Sequence, residues 1–156
     1  MVEVTLLGVA QDGALPQAGC IQPCCASLTS DDTMFPVSLG IIDDSGAGHL
    51  IEATRYLGEQ FRIWGASSLD SVWLTHAHFG HVDGLGLFGK ETMASRDLDL
   101  HVSDEMFHLM EETPQWALML KQGVFQDKVF QNGERITKNE NFSIIPIVIP
   151  HRDELS

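Results

Sequence analysis

The segment that decides the fold runs from Ser71 to Leu85 and reads SVWLTHAHFGHVDGL. Its first five residues, Ser71 to Thr75, have the β-branched and aromatic content of a strand. Side chains alternate across a strand, so Val72, Leu74, His76 and His78 fall on one side while Trp73 and Thr75 take the other. The two histidines therefore leave an apolar face together. Gly80 then permits a sharp turn that swings His81 back toward the same point. Three imidazoles converging at the end of a strand offer neutral nitrogen donors to an ion of borderline softness, zinc or iron. Asp83 reads as a helix-start acid, with a role as carboxylate partner to a ligating histidine as the alternative.

On the N-terminal side, VEVTLLGV at residues 2–9 reads as a buried strand. The stretch from Ala10 to Phe35 holds Gly13, Pro16, Gly19, Pro23 and every cysteine without an apolar period, and a loop of that length is expected to be functional or pinned by something. Val37 to Ile42 and His49 to Ala53 read as strands joined by the turn-rich DDSGAG. Thr54 is placed to cap a short helix with Leu57, Phe61 and Trp64 on one face and Gly65 at its end. Beyond the histidines, Leu98 to Val102 is a strand, Ser103 caps a helix, and Thr113-Pro114 opens another that Gly123 closes. Val124 to Phe130, an Asn132-Gly133 turn and Phe142 to Ile149 complete the chain in β structure. Hairpin-linked strands at the start argue for a mixed sheet, an α/β or α+β fold and not a doubly wound parallel one.

The 156 residues carry 9 Lys and Arg against 22 Asp and Glu, a net charge of −13. That fits one acidic domain, residues 1–156, and opposes nucleic-acid binding, which needs clustered cations on phosphate. No apolar run is long enough to span a bilayer, and Met1-Val2-Glu3-Val4 enters a strand pattern with no basic leader, so no membrane partner and a cytoplasmic location are expected. His49, His101 and His108 lack partners at ligand spacing and read as packed or surface histidines.

THAHFGHVDGL resembles the His-x-His-x-Asp-His signature of the metallo-β-lactamase superfamily, with Gly80 where the signature has aspartate. The variant with glycine is similar to the PqqB-like branch, named for pyrroloquinoline quinone biosynthesis. LGVAQDGALPQAGC, LIEAT, FGHVDGLGLFGKE and IPHRDELS resemble further segments of that branch in the right order. The resemblance implies an αββα sandwich of which these residues form the N-terminal half to two-thirds, a domain incomplete at its C-terminal end and poorly soluble alone. It also implies that a later strand supplies a further ligand, which His151 fits, since Ile145, Ile147, Ile149 and His151 alternate onto one face. Glu52 of LIEAT matches the strand-end acid that supports the histidine loop by hydrogen bonding. With the aspartate missing at position 80, a mononuclear or altered metal site is implied.

Cys20, Cys24 and Cys25 sit in the long loop, and thiolates on zinc could replace its missing apolar core. Proteins of the PqqB-like branch that the sequence resembles often carry Cys-x-Cys-x-x-Cys there as a structural zinc site. Here the spacing is Cys-x3-Cys-Cys, and adjacent cysteines rarely serve one ion, so free or buried thiols remain the alternative.

The expected function is that of a metal-dependent hydrolase. One catalytic zinc held by His76, His78 and His151, with His81 close by, would supply water or hydroxide on the metal as nucleophile against a small-molecule or small-peptide substrate. The resemblance implies a second reading, an iron- and dioxygen-dependent hydroxylase acting on a tyrosine-derived precursor of pyrroloquinoline quinone. A third is a metal-binding protein without turnover. A homodimer is left open.

Overall fold

The computed structural model describes residues 1–151, so Arg152 to Ser156 of the C-terminal resemblance lie outside the described residues. Six strands form one sheet in chain order: β1 (Glu3–Gly8), β2 (Ser38–Ile42), β3 (Gly48–Ile51), β4 (Ser71–Trp73), β5 (Leu98–Val102) and β6 (Phe125–Val129). β2 pairs antiparallel with both β1 and β3, and β3 to β6 are parallel. The mixed α/β sheet expected from the hairpin signals is therefore present. The helices are α1 (Pro23–Ala26), α2 (Leu57–Trp64), α3 (Phe79–Val82), α4 (Asp104–Glu112) and α5 (Pro114–Lys121). A separate hairpin joins β7 (Ile136–Asn139) to β8 (Phe142–Ile144).

The register explains which face became the core. Leu50, Val72 and Leu100 lie opposite one another on β3, β4 and β5, and all three are buried with Leu57, Trp64, Met106 and Met110 of the helices. The helices form where local signals place them. Ser103 Oγ accepts the Met106 N–H to cap α4, and Gly65 and Gly123 take left-handed φ values of 68° and 70° at or just past the ends of α2 and α5. The cap of α2 differs from expectation. Tyr56 occupies it, and Thr54 Oγ1 accepts the Tyr56 N–H while donating to Gln60 Oε1 at 2.7 Å.

The opposite face of the sheet is polar and aromatic, and the β7–β8 hairpin covers it. Phe142 stacks on His49, and Lys138 Nζ lies 3.3 Å from both Asp99 Oδ2 and His101 Nε2. His101 lies flat on Trp73, centroids 3.7 Å apart. Burial, reinforced by the Lys138 charge, pushes the His101 pKa down to about 4, so the ring is neutral and its Nε2 accepts from the ammonium. His49 is likewise lowered by burial, between Ser71 Oγ and Asp43. Both are packed histidines, as their spacing suggests, whereas His108 is exposed beside Asp104 and Glu111.

Three expectations change. β1 is an edge strand, with Val4 and Leu6 58% and 69% exposed, because it pairs only with β2 and no described element covers that face. The strand expected over Phe142 to Ile149 stops at Ile144: Pro146 has no N–H to give a ladder, and Gly133 N–H donates to its carbonyl instead. The Ala10–Phe35 loop is not structureless. Leu15 and Met34 exchange backbone hydrogen bonds of 2.9 and 2.8 Å, closing the loop around α1. No helix among the described residues is long and apolar enough to cross a membrane.

Close backbone approach at Gly84 supports the histidine segment, since a Cβ there would stand 2.0 Å from the Thr54 carbonyl oxygen. Gly58, on the exposed face of α2, has open space around it. Gly84→Ala is therefore expected to destabilise the fold by about 2 kcal/mol, whereas Gly58→Ala stabilises it by about 0.5 kcal/mol. Denaturant unfolding of the two variants checks the opposite signs.

Candidate metal centre

Three short elements place the histidines. β4 ends at Trp73, and the Leu74 N–H bonds to the His101 carbonyl at 3.0 Å, after which the chain leaves the sheet. His76 stands in the following loop, His78 is the N-cap of α3, and His81 lies within α3. Convergence of His76 and His78 thus comes from a loop followed by a helix start. Strand alternation stops before it reaches them, because the ladder ends where β3 ends. Gly80 is helical and makes no sharp turn.

β3 ends because Glu52 adopts φ 68°, a left-handed conformation costly for a residue with a Cβ. Its N–H donates to the Trp73 carbonyl at 2.9 Å, and the Ser38 hydroxyl donates to its carbonyl at 3.3 Å. The turn points the buried carboxylate at the histidine loop. Glu52 Oε1 accepts from Thr75 Oγ1 at 2.5 Å and lies 3.3 Å from His81 Nδ1. Thr75 Oγ1 is also 2.8 Å from His76 Nδ1. A hydroxyl has one proton, and here it goes to the carboxylate, so the Thr75 oxygen accepts the His76 Nδ1–H. This leaves the lone pair of His76 on Nε2. His81 presents Nδ1 to the same carboxylate, so its Nε2 is likewise the free donor atom, facing Asp12 Oδ1 at 3.7 Å.

The donor atoms meet. His76 Nε2 is 2.8 Å from His78 Nδ1, and His151 Nε2 is 3.3 Å from the same His78 nitrogen. His76, His78 and His151 each offer a ligand atom, all lying within 4.8 Å of one another, and Glu52, His76 and His81 form a second such group. Burial, followed by the neighbouring imidazoles His81, His78 and His151, lowers the His76 pKa to about 4, so that ring is neutral near pH 7. His81 behaves oppositely. Burial opposes its charge, but Glu52 and then Asp12 and Asp83 outweigh it and raise the pKa. An imidazole trio beside a carboxylate-supported fourth imidazole is a donor set that fits zinc or another borderline divalent cation. The trio, His81 and Asp12 line a cleft of about 620 Å³.

His151 reaches the cluster although the segment before it is not a strand. Asp83 is neither a helix-start acid nor a partner of the ligating nitrogens. It follows α3, which is only four residues long, and takes the Arg55 N–H and Nε–H at 2.8 and 2.5 Å, with Arg55 also over the Phe79 ring. Sequence reasoning missed Thr75 and Asp12. Thr75 was legible only as a strand residue. Asp12 lay in the AQDG segment, and the loss of an acid at position 80 was the available hint that another residue fills that space.

The cysteines form a second group. Cys24 and Cys25 lie in α1 and Cys20 precedes it, and the three sulfurs fall within 4.8 Å of one another. The Gln17 N–H points at Cys25 Sγ at 3.5 Å. Helical turn geometry brings even the adjacent pair toward one point, and three sulfurs so placed fit a soft cation.

No family model matches the chain. Among solved structures it superposes on zinc-bound PqqB from Methylobacterium extorquens with a TM-score of 0.81 at 17% identity, covering 96% of this chain and 56% of that one. A diphosphatase from the PhnP family gives 0.66 at 22% identity, covering 88% and 54%. The metallo-β-lactamase fold protein YhfI from Bacillus subtilis gives 0.57 at 16%, covering 88% and 49%. The chain has the metallo-β-lactamase fold. It spans about half the length of these structures. An octanoyltransferase from Porphyromonas gingivalis is 40% identical over 80 residues, 51% of this chain but 16% of that protein.

The relay from Glu52 through Thr75 to His76 is testable apart from the ligands. Thr75→Val should weaken zinc binding about 10- to 100-fold, with Thr75→Ser close to the parent, as read by competition with a chromophoric chelator.

Proposed function

We propose that the chain carries the histidine centre of a metal-dependent hydrolase acting on a small-molecule or small-peptide substrate. The observation that carries this reading is the meeting of His76 Nε2, His78 Nδ1 and His151 Nε2 at one wall of an open cleft. A divalent cation there would act as a Lewis acid, lowering the pKa of a coordinated water toward neutrality and polarising a substrate oxygen. His76, His78 and His151 would hold it, and zinc suits imidazole nitrogen donors. Glu52 and Thr75 fix the His76 and His81 rings so that no reorganisation is needed when substrate arrives. The cleft volume of about 620 Å³ suits a small ligand. Cys20, Cys24 and Cys25 would bind a separate zinc that secures the loop forming the far wall.

The iron- and dioxygen-dependent reading, hydroxylation of a tyrosine-derived precursor of pyrroloquinoline quinone, draws on the same imidazole trio and the glycine at position 80. Metal identity separates the two. Metal-stripped protein reloaded with zinc is expected to hydrolyse members of a panel of esters, phosphodiesters and small amides, and His76→Ala should lose both zinc affinity, by more than about 100-fold, and turnover. Iron-dependent oxygen consumption with a tyrosyl peptide and no hydrolysis would support the hydroxylase instead. Metal binding without either activity would leave a non-catalytic binding protein.

A further inference from the structure

Gly80 and Asp12 occupy one place. A Cβ on Gly80 would stand 2.3 Å from Asp12 Cα, 2.8 Å from its Cβ and 2.9 Å from its carbonyl oxygen. Backbone cannot yield as a flexible side chain does, so a side chain at position 80 and the loop carrying Asp12 exclude each other. Gly80 has no left-handed φ to explain it, and the close approach of Asp12 accounts for the missing side chain. The loop is held there: the Leu15–Met34 pair closes it, and the Ala14 N–H bonds to the Gln11 carbonyl at 2.8 Å across Asp12. The Asp12 carboxylate consequently faces the cleft, 3.7 Å from His81 Nε2.

We propose that Asp12 supplies, from the loop after β1, the carboxylate that the histidine segment lacks at position 80, and that Asp12 Oδ1 with His81 Nε2 binds a second divalent cation beside the imidazole trio. The inference rests on the metal-centre reading above. A separation of 3.7 Å is long for a direct hydrogen bond, yet it suits two donors that share one ion at bond lengths of about 2.0–2.2 Å. Glu52 is not that ligand. It is 4% exposed, is engaged by Thr75 and does not line the cleft; its part is to turn His81 so that Nε2 faces Asp12. An oxygen and a single imidazole make a harder site than the trio, so it favours a hard divalent ion such as manganese or a second, weaker zinc.

Manganese(II) titration followed by electron paramagnetic resonance tests this without an activity assay and without loading the thiolates, which prefer softer ions. The full chain is expected to take up two manganese ions whose signals are spin-coupled. Asp12→Asn, which keeps the side-chain shape, and His81→Gln should each bind one ion and lose the coupling, with the melting temperature of the metal-free Asp12→Asn protein within a few degrees of the parent. Two coupled ions in the Asp12→Asn protein, or one ion in the parent that Asp12→Asn leaves unchanged, would overturn the second position while leaving the trio intact. No manganese in a parent that binds zinc at the trio would overturn the second position, and no uptake of either manganese or zinc would overturn the metal-centre reading and this inference with it.

Discussion

The Glu52 carboxylate is the contact on which the site depends. One buried acid at the end of β3, in a left-handed conformation, ends the strand, receives Thr75 and through it fixes His76, and directs His81. A buried carboxylate is costly unless its charge is met by hydrogen bonds or cations, and here the histidine loop meets it. The ring orientations and the stability of the strand end are therefore one problem with one solution. The backbone seals the arrangement, since the Ala53 N–H bonds to the His81 carbonyl and the Gly84 N–H to that of Ala53, both at 2.8 Å.

Around that contact the two faces of the sheet take different work. The aliphatic face under the helices supplies the burial that holds the strands, while the polar face beneath the β7–β8 hairpin keeps neutral histidines between Trp73, Lys138 and Asp43. Asp43 shows the balance. Burial alone would raise its pKa, but hydrogen bonds from Ser45 and from the Ala47 N–H hold it far below the carboxylate range. The long loop after β1 then closes over the outlet of the parallel strands, carrying the cysteines at one end and Asp12 against Gly80 at the other.

Much of this was legible where the signal is local. Ser103 as a cap, Leu98–Val102 as a strand and Gly65 as a stop are decided by their immediate neighbours, and the structure agrees with each. The histidine spacing marked the site, although parity along a strand was the wrong reason for it. What failed was decided at long range. VEVTLLGV reads alike whether or not something covers Val4 and Leu6, and an apolar run through Pro146 does not reveal that no strand among the described residues pairs with it beyond Ile144. Gly80 illustrates the same limit: a glycine that permits a turn and a glycine that admits a backbone from a distant loop are one letter.

The central claim, that one carboxylate sets which nitrogen of each ring is available, is open to direct observation. Long-range proton–nitrogen correlation spectra of the metal-free protein, recorded on the alkaline side of the ring titrations, report the tautomers of His76 and His81. The account predicts the Nδ1–H tautomer for His76 and His81, with Nε2 carrying the lone pair. An Nε2–H on either ring would contradict it, because the proton would then sit where the cation has to bind.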